Sequence, residues 1–266
     1  MNDEVREVQD QKSIAVSALE RYTGSGPDEY GNYILLTNFG KYVDVFSGIS
    51  GCDKCRGTTM RSAHKPDEDL SIIDFGVGSP MAALIVDLLS YIQPRVALML
   101  GLCGGLSPSY RIGDFFNPIA AIRDEGTSDH YMPPRVPSLS SFDIQRFIAD
   151  ELERRNVAYY SGVIHTTNLR FWEFDDDFKE SLEKERCQTI DMECATLFSV
   201  GFARRVPIGA LMLISDLPLK QGGIKTKESS RELFDRYTQT HIELGIDVIR
   251  SMRRAHLDPG TYTHPD

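Results

Sequence analysis

Positive charge is scarce in this sequence of 266 residues, which has 29 lysines and arginines against 39 aspartates and glutamates. The formal net charge of −10 argues against a nucleic-acid partner, because such binding depends on Lys and Arg contacts with phosphates. A small anionic substrate remains compatible with this charge, since a pocket needs only local positive charge. We therefore expect no nucleic-acid partner.

Long apolar runs are absent as well. No segment approaches the roughly 20 apolar residues of a membrane-spanning helix, and the polar stretch MNDEVREVQDQKS lacks the apolar region of a signal peptide. The five cysteines, an odd number without a secretory signal, indicate reduced thiols. We therefore expect a cytoplasmic protein with no membrane partner.

Paired metal ligands are limited to one C-x-x-C, formed by Cys52 and Cys55. A structural zinc site usually needs a second pair of Cys or His ligands, and no such pair occurs elsewhere in the sequence. A redox pair would normally open a helix after a strand. We therefore interpret both cysteines as free thiols in a loop, and we predict no metal and no cofactor.

Short apolar runs alternate with helical patterns along most of the chain. The predicted strands are 33–37, 70–78, 95–105, 114–124, 157–167 and 208–216, and the predicted helices are 4–21, 80–92, 141–155, 192–205 and 231–254. This alternation predicts an α/β fold in which helices cover both faces of a central sheet. Because no repeat or linker divides the chain, we expect a single domain over residues 1–266.

Four predicted strands end in residues that suit ligand binding, and ligands of open α/β sheets bind at the C-terminal ends of strands. Two ends are glycine turns, FGVGSP at 75–80 and GLCGG at 101–105. Backbone amides in such turns can face an anion or a ribose, although tight packing explains GLCGG about as well. The other two ends are HTTNLRFWEF at 165–174 and SDLP at 215–218.

Asp216 directly follows the apolar run ALMLIS and Ser215 is the residue before it. Such a strand end offers a carboxylate little solvent, and desolvation raises a carboxyl pKa and favours the protonated form, which suits a general acid. In the alternative interpretation, Asp216 caps the turn ahead of Pro218. The pattern alone supports the two interpretations about equally.

Glu193 lies in DMEC, at the start of a helix that is apolar enough to be core. Asp191 is adequately explained as the cap of this helix, and Glu193 could be an ordinary first-turn acid. However, Glu193 is flanked by Met192 and Cys194 in an apolar surround, and a buried carboxylate needs hydrogen-bond donors. A pair of sugar hydroxyls would supply them.

The motifs GVG at 76–78, GLCGGL at 101–106, GD at 113–114, DMECAT at 191–196 and SD at 215–216 together resemble the nucleoside phosphorylase and nucleosidase superfamily. Within it, MLGLCGGL, HTTNLRFWE, IDMECATLF and VPIGALMLISDLPL resemble the catalytic domain of the AMP nucleosidases. The resemblance covers about residues 30 to 254. It implies a nucleoside-phosphorylase-like domain with a twisted mixed sheet, a nucleotide substrate, and a homo-oligomer, which we expect to be a homo-hexamer.

The resemblance also implies roles for residues. Glu193, after Met192, would bind the ribose hydroxyls, and Asp216 would protonate the five-membered ring of the departing purine. Phe171 and Trp172 would lie against the base, although both are also compatible with core aromatics. Further expected substrate contacts are Ser215, Thr167, Gly104 and Gly78. Candidates for holding a 5′-phosphate are Lys41, Arg56 and Arg61, each equally compatible with a surface charge.

Two departures from the superfamily pattern bear on the reaction. Met81 stands where phosphorylases carry a hydroxyl after the glycine turn, Ser79 is shifted, and the strand LSIIDFG has no arginine. We therefore expect water as the nucleophile, so that AMP gives adenine and ribose 5-phosphate. About 30 residues precede the first strand, so we expect residues 1–29 to be a helical extension, with no separate regulatory domain.

Two alternatives remain open from the sequence. One is a purine nucleoside phosphorylase that uses inorganic phosphate as nucleophile. The other is a non-catalytic nucleotide-binding sensor that keeps the pocket without turnover, which the presence of both Glu193 and Asp216 disfavours.

Overall fold

The helices and strands are those of a computed structural model that describes residues 3–255, with side chains from residue 10 onward. Within these residues the helices are α1 (Asp3–Thr23), α2 (Gly40–Ser50), α3 (Ser79–Leu89), α4 (Phe142–Arg154), α5 (Asp176–Glu185), α6 (Cys194–Arg204) and α7 (Lys227–Arg254). The strands are β1 (Tyr33–Thr37), β2 (Lys54–Arg56), β3 (Arg61–Lys65), β4 (Leu70–Asp74), β5 (Val96–Gly105), β6 (Phe115–Asp124), β7 (Ser138–Leu139), β8 (Tyr159–Thr167), β9 (Thr189–Asp191) and β10 (Ile208–Asp216). No helix in this part of the chain is long and apolar enough to cross a membrane. Residues 1–2 and 256–266 of the predicted domain lie outside the described residues.

All six predicted strands and all five predicted helices occur; the strands 33–37 and 208–216 have the predicted boundaries, and the boundaries of the other elements are shifted. The strand predicted over 70–78 ends at Asp74, because Gly76 and Gly78 take positive φ angles of 85° and 96° and turn the chain. The last helix begins four residues early, at Lys227, where the Thr226 side chain accepts a hydrogen bond from the Ser229 amide. Cys52 and Cys55 are free thiols, as predicted, but Cys55 lies in the strand β2 rather than in a loop.

Six elements were not predicted, namely α2, α5, β2, β3, β7 and β9. The stretch NFGK reads as a turn, but Gly40 begins the helix α2, so Lys41 lies in the first helical turn. The strand β9 has three residues and is too short to show a periodic pattern. These unpredicted helices and strands bring residues that the sequence did not single out close to the ends of the predicted strands.

The ten strands of the described residues form one sheet, in the order β10-β6-β8-β9-β5-β1-β4-β3-β2, with β7 on β6. Because β5 also pairs with β10, the strands β5, β10, β6, β8 and β9 close into a ring. The strand β5 runs parallel to β1 and β10 and antiparallel to β9. The sheet is therefore mixed, which confirms the predicted fold class.

Both faces of the sheet are buried, and β1 shows how its sequence achieves this. All five of its residues are buried, and side chains alternate between the faces of a strand. Ile34 and Leu36 join a core cluster that includes residues of α3 and α6. Tyr33 and Leu35 join a second cluster, which includes residues of α2, α4 and α7. Two helical layers thus fix the strands and leave their C-terminal ends free to form a site.

Candidate active site

A cavity of about 300 Å³ lies where the chain leaves the C-terminal ends of β1, β5, β8, β9 and β10. This position agrees with the general location of ligand sites in α/β sheets. The sequence-predicted residues that line it are Gly104, Thr167, Trp172, Met192, Glu193, Ser215 and Asp216. Residues that line it and were not singled out from the sequence include Asn38, Phe39, Arg170, Glu173, Lys225 and Phe234.

Glu193 is 2% exposed and lies at the cap position before α6. The backbone amide of Gly78 donates a hydrogen bond of 2.7 Å to its Oε1 atom. Burial raises the pKa of Glu193 to about 7, and the nearby Asp191 carboxylate acts in the same direction. Gly78, predicted to contact substrate, therefore contacts the carboxylate that faces the cavity.

Asp191 anchors this corner of the site. Its carboxylate accepts hydrogen bonds from the Thr166 hydroxyl at 2.6 Å, the Cys194 amide at 2.8 Å and the Glu193 amide at 3.2 Å. The two amides belong to the start of α6, so Asp191 caps that helix, as the sequence suggested. Burial raises the pKa of Asp191, while these hydrogen bonds oppose the increase. Three donors therefore hold the loop that carries Glu193.

Asp216 lies at the end of β10, and its side chain is 13% exposed. Burial raises the pKa of Asp216, as its position after an apolar strand predicts, while Lys225 and the Ser215 hydroxyl oppose this increase. That hydroxyl donates to Asp216 Oδ1 at 2.6 Å. Among the described residues no backbone amide donates to this carboxylate, so the structure does not favour the turn-capping interpretation.

Lys225 reaches Asp216 through a tight loop. The Leu217 amide donates to the Gly223 carbonyl at 3.1 Å, and a Cβ on Gly223 would lie 2.0 Å from the Leu217 carbonyl oxygen. Only glycine fits this approach. The Lys225 ammonium then lies 3.9 Å from Asp216 Oδ1, and burial lowers the pKa of Lys225. The GGIKT stretch contains the lysine, but its spacing does not reveal this contact.

A third polar group lies at the same end of the cavity. The Glu173 side chain is 4% exposed, and its Oε1 atom accepts a hydrogen bond of 3.1 Å from Arg170 Nη1. Its second oxygen, Oε2, is buried without a hydrogen-bond partner in the described part of the chain. Trp172 is 5% exposed and packs against Phe178 at a ring distance of 5.8 Å.

The structure does not bring Phe171 to the cavity. Its ring is 70% exposed, because neighbouring residues of the short helical turn point to different sides and Trp172 takes the inward position. The Arg170 guanidinium lies 5.6 Å from the Phe171 ring centroid. Phe171 therefore contacts a residue that lines the cavity, without lining it.

The three candidate cations for a 5′-phosphate also lie outside the cavity lining. Lys41 and Arg56 are exposed, on α2 and β2. Arg61 lies close to Gly40: a Cβ on Gly40 would lie 2.9 Å from Arg61 Nη1 and 3.3 Å from Asp74 Oδ2. Gly40 follows the cavity residues Asn38 and Phe39. Arg61 and Lys41 therefore both lie at the N-terminus of α2, next to the site.

Ser79 has a structural partner. Its buried hydroxyl donates a hydrogen bond of 2.8 Å to the Met192 carbonyl, which joins the start of α3 to the loop before α6. The hydroxyl is therefore directed at the protein backbone, in agreement with the departure from the phosphorylase pattern noted in the sequence.

Residues 33–250 match the family described as the Phosphorylase superfamily. AMP nucleosidase from Escherichia coli (strain K12) is 29% identical over 286 aligned residues, which cover 90% of this chain and 59% of that protein. Guanosine phosphorylase from Halorubrum lacusprofundi is 28% identical over 180 residues, which cover 68% of this chain and 73% of that protein. The chain thus spans about three fifths of the length of the Escherichia coli relative.

Two solved structures show the same fold. The crystal structure of AMP nucleosidase from Bacteroides thetaiotaomicron superposes with a TM-score of 0.82 at 39% identity, covering 92% of this chain and 98% of that one. Purine nucleoside phosphorylase from Toxoplasma gondii superposes with a TM-score of 0.75 at 18% identity, covering 87% and 95%. The second likeness concerns the fold alone.

Proposed function

Since the chain belongs to the Phosphorylase superfamily, we propose that it hydrolyses the N-glycosidic bond of AMP to adenine and ribose 5-phosphate. The observation that carries this proposal is one cavity lined by both Glu193 and Asp216, at the C-terminal ends of the strands. The likeness to the AMP nucleosidase from Bacteroides thetaiotaomicron, at 39% identity over nearly the whole of that chain, supports AMP as the substrate.

In the proposed reaction, Asp216 is the general acid. Its Oδ1 atom accepts from the Ser215 hydroxyl and faces Lys225, so Oδ2 is the oxygen left to carry the transferred proton. The proton moves to the five-membered ring of the purine as the bond to the sugar breaks, while positive charge develops on the ribose. The raised pKa of Asp216 favours the protonated acid that this step requires.

Glu193 binds the ribose in this proposal. The Gly78 amide occupies Oε1, which leaves Oε2 to accept from a ribose hydroxyl. In its ionised form the Glu193 carboxylate makes a stronger hydrogen bond than a neutral acceptor. Held by the Asp191 cap and Gly78, the carboxylate aligns the sugar between the base end of the cavity and the attacking water.

The 5′-phosphate is proposed to bind beside Gly40, where the N-terminus of α2 and the Arg61 guanidinium both favour an anion. Lys41 lies in the same helical turn and is exposed, so its side chain is available to the phosphate. Asp74 partly offsets the Arg61 charge at this position. Arg56 is opposite Arg61 in the β2–β3 pair and is the most remote of the three candidates.

The test is incubation with AMP in phosphate-free buffer, followed by chromatography for free adenine. We expect turnover without inorganic phosphate, and a kcat/KM for AMP that exceeds that for adenosine by on the order of a hundredfold. Each charge-assisted hydrogen bond to the phosphate contributes roughly 1.5–3 kcal/mol, so the loss of two accounts for such a ratio. A rate that requires inorganic phosphate, or a preference for adenosine, supports a phosphorylase. Binding without turnover supports a sensor.

The assembly expected from the sequence, a homo-hexamer, stays a prediction. Exposed apolar side chains near the cavity, such as Val77, Leu169 and Phe171, are compatible with a neighbouring subunit there.

A further inference from the structure

We propose that Glu173 selects purines that carry a 6-amino group, by accepting a hydrogen bond from that group at the base end of the cavity. This inference rests on the proposed function, because it assumes that the purine lies beside Asp216. The reaction proposed above assigns no role to Glu173.

The first observation is an unpaired acceptor. Glu173 Oε2 is buried and has no hydrogen-bond partner among the described residues, and Glu173 lines the cavity. Leaving a buried polar group without a partner costs about 1–3 kcal/mol, and more for a charged group. An N–H donor on a ligand in this cavity would remove that cost.

The second observation is the position of Glu173 relative to Asp216. Both residues line the same cavity, and the Glu173 charge contributes to raising the pKa of Asp216, which requires the two carboxyl groups to be near each other. Adenine presents a ring nitrogen acceptor, N7, next to the donor of its 6-amino group. Asp216 as proton donor and Glu173 as acceptor match these two groups in order.

The same arrangement opposes purines with a 6-oxo group. Guanine, and likewise hypoxanthine, presents acceptors at both positions of this edge. Their O6 atom would face Glu173 Oε2, another acceptor, and the buried oxygen would remain unpaired. A site built around a hydrogen bond rejects an analogue that cannot make it much more strongly than an apolar pocket does.

Arg170 acts as a positioning residue for Glu173. Its Nη1 atom donates to Oε1 at 3.1 Å, which fixes the carboxylate and leaves Oε2 free. The guanidinium also lies 5.6 Å from the exposed Phe171 ring, which restricts its movement. This contact gives Phe171 a place in the site, although its ring does not line the cavity.

The experiment compares AMP with IMP as substrates of the wild-type protein and of Glu173→Gln. We expect the kcat/KM of the wild type to be at least about a hundredfold higher for AMP than for IMP. IMP cannot donate the hydrogen bond to Glu173, and its O6 acceptor would face the acceptor Oε2. The glutamine amide can donate to O6, so the preference should fall by about tenfold or more, through a lower value for AMP and a higher value for IMP.

A matched control is Glu183→Gln, which removes an exposed carboxylate on the neighbouring helix α5 and should leave the ratio unchanged. A third substrate, the purine ribonucleotide that lacks any 6-substituent, tests the contact without altering the protein. It should react more slowly than AMP in the wild type, and Glu173→Gln should reduce that difference. Coupling between the two changes identifies a direct contact.

The affinities for free adenine and hypoxanthine, measured by calorimetry, test the role of Glu173 independently of turnover. If the wild type cleaves no AMP but prefers adenine, and Glu173→Gln removes that preference, the proposed function fails and the role of Glu173 stands. If AMP is cleaved but wild type and variant show the same AMP/IMP and adenine/hypoxanthine ratios, Glu173 is not the selecting residue. Equal kcat/KM values of the wild type for AMP and IMP would also overturn the proposed role of Glu173.

Discussion

The two ends of the cavity satisfy their buried carboxylates in different ways. At the ribose end, the Asp191 carboxylate accepts three hydrogen bonds and Glu193 accepts one from the Gly78 amide, all from the protein. At the base end, Asp216 is bound by Ser215 and approached by Lys225, and Glu173 Oε2 has no partner in the described structure. The protein thus donates four hydrogen bonds to the carboxylates at the end proposed for the ribose and two at the end proposed for the base, and Glu193 Oε2 and Glu173 Oε2 are left for a ligand.

The difference follows from the elements that carry the residues. Asp191 and Glu193 lie between β9 and α6, and the Ser79 hydroxyl ties this segment to α3 at the Met192 carbonyl. Glu173 and Lys225 lie on the segments that follow β8 and β10. In many proteins, binding and catalytic residues lie on loops that a rigid scaffold positions. We therefore expect substitutions at the base end to change rate and selectivity, and those at the ribose end to change stability as well.

The largest expected effect is that of Asp216→Asn. General acid catalysis contributes on the order of 10²–10⁴-fold, and asparagine keeps the shape of the side chain without a transferable proton. Steady-state kinetics should show this loss in kcat, with AMP binding by calorimetry nearly unchanged. The control is Asp150→Asn, an exposed position on α4. A variant with near-wild-type turnover at neutral pH would exclude Asp216 as the acid.

Glu193→Gln tests the ribose end through stability and selectivity. Folding raises the pKa of Glu193 from 4.5 to about 7, so the folded protein holds this proton more tightly than the unfolded chain. The associated stability is fully present below pH 4.5 and is lost as pH rises through about 7. The free energy of unfolding of the wild type should therefore decrease over this pH range relative to that of the glutamine variant.

The measurement is denaturant unfolding of both proteins at several pH values. Between pH 5 and pH 8, the free energy of unfolding of the variant should increase relative to that of the wild type. Parallel pH profiles of the two proteins would show that Glu193 is not the titrating group. The wild type should also prefer AMP over 2′-deoxy-AMP, and the variant less so, because its neutral amide is a weaker acceptor. Equal rates for the two substrates in the wild type would argue against a ribose contact.

Lys225→Met gives the smallest expected effect and separates electrostatics from chemistry. The Lys225 charge lowers the pKa of Asp216, so its removal should raise that pKa further. In the proposed reaction Asp216 acts in its protonated form, so the alkaline limb of the kcat/KM profile should move to higher pH. The control is Lys184→Met, on the exposed surface of α5. An unmoved limb, with activity intact, would mean that Lys225 does not influence the acid.

Sequence patterns predicted much of the fold because the long strands and helices are strongly patterned. The apolar run at 208–216 forms a strand with the predicted ends, and the amphipathic run after 231 forms a helix that begins earlier than predicted. The helix α2 was not predicted because the stretch NFGK at its start reads as a turn, and β9 was not predicted because three residues are too few to show a periodic pattern. Tertiary contacts, rather than propensity, stabilise such short segments.

The sequence by itself determined the fold class, the edge of the sheet where the cavity lies, and the two carboxylates, Glu193 and Asp216, that follow apolar or buried segments. Only the tertiary structure decided which neighbours reach them. Arg170, Glu173 and Lys225 line the cavity, whereas Lys41, Arg56 and Phe171 do not. The physical reason is that a side chain's burial and charge environment depend on loops that meet from distant parts of the chain. For example, no local sequence pattern predicts the hydrogen bond between Glu193 and Gly78, which are 115 residues apart in the chain.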